Sequence, residues 1–117
     1  MAESQLATAA TDSLDRLLLL GVSARTVAAP LRDRLFAVEP DQARLISDLR
    51  GLDCDEGLVI STCERIELLV VSREGQRVAG ELLRVIAAAA DCAPSELAGQ
   101  SYCHVGPDAL RHLLAVA

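Results

Sequence analysis

With 117 residues, 51% of them apolar, the chain is long enough to bury one hydrophobic core and too short for two. Its formal charge is −6, all 11 cations are arginine, and Phe36 and Tyr102 are its only aromatic side chains. That balance excludes a general electrostatic grip on nucleic acid and a row of rings on which bases could stack.

The first 13 residues, MAESQLATAATDS, are small and polar without periodicity and are expected to form a loose tail (1–13), with one domain over 14–117. Leu14 to Gly21 contain the run Leu17-Leu18-Leu19-Leu20, too short for a helix and bounded by glycine, which predicts a central strand ending near Ala24. Arg25, Arg32 and Arg34 then cluster near the start of a helix. Arginine suits bidentate binding of carboxylate or phosphate, but such groups are also ordinary solvated surface. Pro30 fits the first turn of that helix, and Leu31, Leu35 and Val38 mark its apolar face. Pro40-Asp41 opens a second helix buried through Leu45, Leu49 and Leu52, and Asp53 to Gly57 form an acidic turn.

Leu58-Val59-Ile60 and Ile66 to Val71 are two strand-length apolar runs facing each other across Ser61-Thr62-Cys63-Glu64-Arg65, which predicts a hairpin of two buried strands. Cys63 then sits at the tip of a rigid sheet beside two hydroxyls and a guanidinium, a setting for chemistry. The plainer alternative is a cysteine acting as a small hydrophobe. Residues 77–90 read as a helix through Val78, Leu82, Val85 and Ala89, and Pro94 to Leu97 as one helical turn. Gln100 to Val105 read as a short strand, with Tyr102 and His104 on one face and Cys103 on the other. Gly106-Pro107-Asp108 opens a last helix with Leu110, Leu113, Leu114 and Ala117 on its stripe. The stripe is cut short, and a longer protein is expected.

The order strand, helix, hairpin, helix, strand, helix predicts an α+β fold: a ferredoxin-like βαββαβ antiparallel sheet with helices on one face, plus a C-terminal helix. Cysteines at 54, 63, 92 and 103 form no CxxC pair, so neither disulfides nor a metal site are expected. No stretch approaches the roughly 18 apolar residues that span a bilayer, and no secretory signal opens the chain; a cytoplasmic location without membrane contact is expected.

Three separated blocks carry a resemblance. Gly21-Val22-Ser23 with Thr26 and Leu31-Arg32-Asp33-Arg34-Leu35, then Ser61-Thr62-Cys63-Glu64-Arg65 with Glu67, then Tyr102-Cys103-His104 leading to His112-Leu113-Leu114-Ala115-Val116-Ala117 resemble the N-terminal catalytic domain of glutamyl-tRNA reductase. The resemblance covers about residues 17–117. It implies an enzyme that captures the glutamyl group of its tRNA as a thioester and reduces it with NADPH to glutamate-1-semialdehyde, opening tetrapyrrole biosynthesis. Cys63 would be the nucleophile, and His104 a proton donor or a base. Ser61, Thr62 and Arg65 would hold the substrate, Arg65 through the γ-carboxylate. Without the resemblance, a surface pair of Arg65 with Glu64 or Glu67 is the favoured reading, and His112 reads as packing or solvent.

The sequence departs from the family pattern at Ala24, where histidine is usual, at Val27 and Ala28, where alanine and proline are expected, at Ile66, which replaces a threonine, and at Glu64, where an asparagine gives way to a negative charge beside Cys63. No G-x-G-x-x-G follows a strand, so the NADPH-binding and dimerisation domains are expected outside this chain. Alone it would perform at most acyl transfer or slow ester hydrolysis. Its implied partners are glutamyl-tRNA, the remaining domains, a second copy in a full-length homodimer, and the next enzyme of the pathway. The alternative is a non-catalytic βαββαβ module for regulation or subunit docking.

Overall fold

Apolar runs of five to seven residues build a sheet only where neighbouring runs satisfy their backbone groups. The computed structural model describes residues 15–36, 42–52 and 56–116. Strand β1 (Leu17–Ser23) leads to helices α1 (Ala29–Phe36) and α2 (Gln42–Arg50), then to the hairpin β2 (Glu56–Ser61) and β3 (Arg65–Val71). Helix α3 (Gly75–Ala89) and the short α4 (Pro94–Ala98) return the chain to β4 (Tyr102–Val105) and α5 (Pro107–Val116). The sheet order is β2-β3-β1-β4, with every neighbouring pair antiparallel. This is the expected βαββαβ layout, with β3 slotted between β1 and β2 and β4 closing the far side of β1. The expected tail, Val38, the Pro40-Asp41 helix start, Cys54 and Ala117 lie outside the described residues.

Alternation along β1 and β3 splits the sheet into two faces. Leu18, Leu20, Val22, Ile66, Leu68 and Val70 point to one face and join Leu31, Leu35, Leu45, Leu49, Val78, Leu82, Ile86 and Leu97 in the main core. Helices α1 to α4 therefore share one side. Leu19 and Ala109 are also fully buried, yet outside that core. They belong to the second face, where α5 packs on β1 and β4.

Two expectations are corrected. The hairpin strands are not both buried: β3 is, but β2 is a sheet edge, and its Leu58 is 53% exposed. β2 also begins at Glu56, inside the expected acidic turn, because Glu56 and Gly57 continue the ladder opposite Val71 and Val70. On α5 the stripe is rotated. Leu110 and Leu114 are 41% and 71% exposed, while Ala109 is buried and His112 and Leu113 are partly buried. Only a small residue lets the helix axis come close to β1, so Ala109 takes the contact that leucine was expected to make.

Candidate active site

The β2–β3 turn is built by its threonine. Thr62 N–H donates to the Arg65 carbonyl at 2.9 Å, and Thr62 Oγ1 accepts from the Glu64 and Arg65 amides, both at 3.2 Å. A hydroxyl that accepts from the backbone two and three residues on pins a turn without help from neighbouring strands. The Glu64 carbonyl also accepts the Ala24 N–H at 2.8 Å, which ties the loop after β1 to the tip. Cys63 thus has a fixed backbone and an exposed side chain. Of the other described thiols, burial pushes the Cys92 pKa up, with further upward pressure from Glu96, and burial alone raises that of Cys103. Cys103 keeps an exposed surface despite that crowding.

The loop after β1 folds on itself. Thr26 Oγ1 accepts from Ser23 N–H at 2.9 Å, Arg32 Nε donates to the Ala24 carbonyl at 2.8 Å, and Gln100 Oε1 accepts the Ala28 N–H. Arg34 Nη1 reaches the Asp91 carbonyl at 3.2 Å. Two of the three clustered arginines therefore brace backbone, and Arg25 is exposed at their edge.

Arg65 and Glu67 share the second face of the sheet with Gly21, Tyr102 and His104, and there they meet α5. Glu67 is fully buried. Its Oε1 lies 3.1 Å from Arg65 Nη1 and its Oε2 lies 2.9 Å from His112 Nε2. His112 in turn stacks on His104, with ring centroids 4.5 Å apart and 26° between planes, and its centroid lies 5.0 Å from that of Tyr102. A buried carboxylate needs such partners, since an unpaired charge there costs several kcal/mol, on the order of 3–5. The Tyr102 hydroxyl is buried without a hydrogen-bond partner. Burial first, and then the Glu67 charge, push its pKa well above the usual phenol range.

Register orders these groups. Gly21 is opposite both Glu67 and Tyr102, while His104 pairs with Leu19. Ser23 pairs with Arg65 at the end nearest the turn. His104 and Cys63 are therefore separated along the strands and are connected through His112, Glu67 and Arg65. Ser61 alternates to the opposite face, level with Ile66. The fold thus gathers Arg65, His104 and His112, holds Thr62 and Cys63 just beyond them, and sends Ser61 to the other side.

The family profile described as Glutamyl-tRNAGlu reductase, N-terminal domain, matches residues 20–117. The chain belongs to that family. It is 39% identical over 101 residues to the glutamyl-tRNA reductase of Nitratidesulfovibrio vulgaris, covering 85% of this chain and 22% of that protein. It is 34% identical over 104 residues to the Herpetosiphon aurantiacus enzyme, covering 87% and 24%. With the chloroplastic glutamyl-tRNA reductase 1 of Cucumis sativus the identity is 28% over 118 residues, covering 97% and 21%. This glutamyl-tRNA reductase N-terminal domain therefore spans less than a quarter of the length of these relatives.

Within the domain, sequence reasoning named the Arg65–Glu67 pair, which the structure forms, but missed the full burial of Glu67, its contact with His112 and the contact of Tyr102 with both imidazoles. The signal was present for Glu67. A carboxylate inside the run Ile66-Glu67-Leu68-Leu69-Val70 must be paired, and alternation puts it on the face of Arg65. His112 was beyond reach because the expected stripe of α5 had the wrong face toward the sheet.

Proposed function

We propose that the chain is the acyl-transfer half of a glutamyl-tRNA reductase. Support comes chiefly from one observation: the family's domain here presents an exposed cysteine on a turn whose backbone is pinned by Thr62, next to an arginine held on a buried carboxylate. The Cys63 thiolate attacks the carbonyl carbon of the ester that joins glutamate to the terminal ribose. An S–C bond forms, the C–O bond to the ribose breaks, and the ribose oxygen takes up a proton. His104 is the proposed donor of that proton. A donor must come within hydrogen-bond reach of the leaving oxygen, so on this reading substrate binding draws the turn over the α5 side of the sheet. Arg65 holds the γ-carboxylate, and Thr62, whose oxygen already accepts two backbone N–H groups, keeps its own O–H to offer.

A thioester keeps the acyl carbon open to hydride where a carboxylate would not. In the complete enzyme NADPH supplies that hydride. The described residues do not fit a dinucleotide: the sheet is antiparallel throughout, and no glycine-rich turn leads from a strand end into a helix. Hydride delivery therefore falls to other parts of the enzyme, and this chain alone would release glutamate by hydrolysis. Glutamyl-tRNA, the other domains and a second full-length copy are its proposed partners.

The test is intact-protein mass spectrometry after brief mixing with glutamyl-tRNA and an acid quench, with Cys63→Ser as control. A glutamyl adduct on the parent chain alone is the expected result. If neither glutamyl-tRNA nor a small glutamyl thioester leaves an adduct or is consumed faster than in buffer, the acyl-transfer reading is wrong.

A further inference from the structure

We propose that Arg25 is the phosphate-binding residue of this site, taking the phosphodiester on the 5′ side of the ribose that carries the glutamyl ester. The inference rests on the acyl-transfer reading and adds a residue which that reading does not use. Three observations carry it. Arg25 lies two residues past Ser23, which pairs with Arg65 at the end of the sheet where the β2–β3 turn holds Cys63. Its loop is pinned on both sides: the Ser23 carbonyl accepts the Thr26 and Val27 N–H groups at 3.0 and 3.2 Å, and the Arg25 N–H donates to Ser23 Oγ at 3.3 Å. Ala24 N–H donates to the Glu64 carbonyl, so Arg25 and Cys63 are each one residue from the same 2.8 Å hydrogen bond. The Arg25 side chain is exposed, with no hydrogen-bond or ion-pair partner among the described residues.

The neighbouring guanidiniums are already engaged. Arg32 donates through Nε to the Ala24 carbonyl and through Nη2 to the Val27 carbonyl at 3.2 Å, bracing the loop on either side of Arg25. Arg34 reaches the Asp91 carbonyl, and Arg65 is held on Glu67. Ester and phosphodiester belong to one ribose, the ester on its 2′ or 3′ carbon and the phosphate on its 5′ carbon. A nucleophile at the ester therefore has that phosphate within the length of one nucleotide, and a cation fixed beside the Cys63 turn stands in its path. A chain of formal charge −6 repels phosphate unless a cation meets it locally. A guanidinium meets it with two parallel N–H donors, and Arg25 breaks no ion pair to do so. Glu64, across the shared hydrogen bond, is exposed and forms no ion pair with it. One such contact does not reverse the repulsion of the whole domain; it fixes where the last phosphate lies.

Two small esters separate the phosphate from the rest of the nucleic acid: adenosine carrying glutamate on its ribose, and the same compound with a 5′-phosphate. Each is offered to the full chain below saturation, and acylation of Cys63 is followed by intact-protein mass. The phosphate is expected to speed the parent by roughly threefold to tenfold, the scale of one exposed charge-assisted contact. In Arg25→Gln that advantage should vanish, and Arg25→Lys should keep part of it. A ratio of the two rates as large in Arg25→Gln as in the parent overturns the proposal. That includes the case in which both rates fall together, because Arg25 would then act by offsetting the Glu64 charge. With glutamyl-tRNA, the slope of log rate against log salt should be more positive by about 0.7 in Arg25→Gln, one contact to a single-stranded end being lost. An unchanged slope counts against the contact. If the parent is acylated by neither ester, the acyl-transfer reading has failed, and a titration followed by NMR decides on Arg25. There 5′-AMP is expected to shift the Arg25 Nε–H signal and adenosine is not; an unmoved signal with 5′-AMP overturns the phosphate site.

Discussion

Gly21 has no side chain because two other residues use the space. It pairs with Glu67 on one side and Tyr102 on the other, and both side chains lie over its Cα. Gly21→Ala should therefore displace the tyrosine ring or the carboxylate, costing about 1–3 kcal/mol in urea unfolding and slowing acylation of Cys63. Tyr102 itself supports the opposite kind of prediction. Its hydroxyl is buried without a partner, so Tyr102→Phe removes a desolvation penalty and should leave stability unchanged or raise it by up to about 1 kcal/mol. The pH dependence has a definite sign. Because the folded-state pKa is raised, the proton is held more tightly in the native state. This contribution is complete below the unfolded phenol value, about 10, and is lost as pH climbs above it. Tyr102→Phe should flatten that alkaline loss, and the single tyrosine makes the phenolate absorbance band its direct monitor.

Among the elements, α5 is the one that converts a sheet into a site. It brings His112 to Glu67 by burying Ala109, and its exposed leucines do no comparable work. Ala109→Leu should cost about 1–3 kcal/mol and separate His112 from the carboxylate, whereas Leu114→Gln should stay within about 0.5 kcal/mol of the parent. Thermal unfolding of the two variants side by side checks which face is docked. The same helix marks the limit of what the sequence made legible. Strand β1, the hairpin, α3 and the layout of the sheet followed from runs and periods, because an apolar run bounded by glycine leaves few choices. The position of Cys63 at the turn was legible for the same reason. The stripe of α5 was misread because leucines outnumber alanines as core residues, and no local rule signals that close approach to β1 requires the smaller one. The resemblance grouped Ser61 with Arg65, whereas the register sets Ser61 level with Ile66 on the other face.

At the scale of the whole molecule, the charge of −6 would face a polyanion in the proposed substrate, glutamyl-tRNA. Acylation by glutamyl-tRNA should therefore not slow when salt rises from low to moderate concentration, the reverse of a basic protein that grips phosphates. Reaction with a small glutamyl thioester, which lacks the tRNA body, should be nearly indifferent to salt, and comparing the two rates tests the point. The sheet order carries one more consequence, in time. β1 contains residues 17–23 and its partner β4 contains residues 102–105, so the seam between them closes across most of the chain. Local helices and the β2–β3 hairpin form without that seam, but Gly21, Tyr102 and His104 meet only across it. Long-range pairing is the slow part of folding. The cluster around Glu67 is accordingly the last part of the molecule to come into being, and a chain emerging from the ribosome holds Cys63 on its hairpin well before it has the imidazoles.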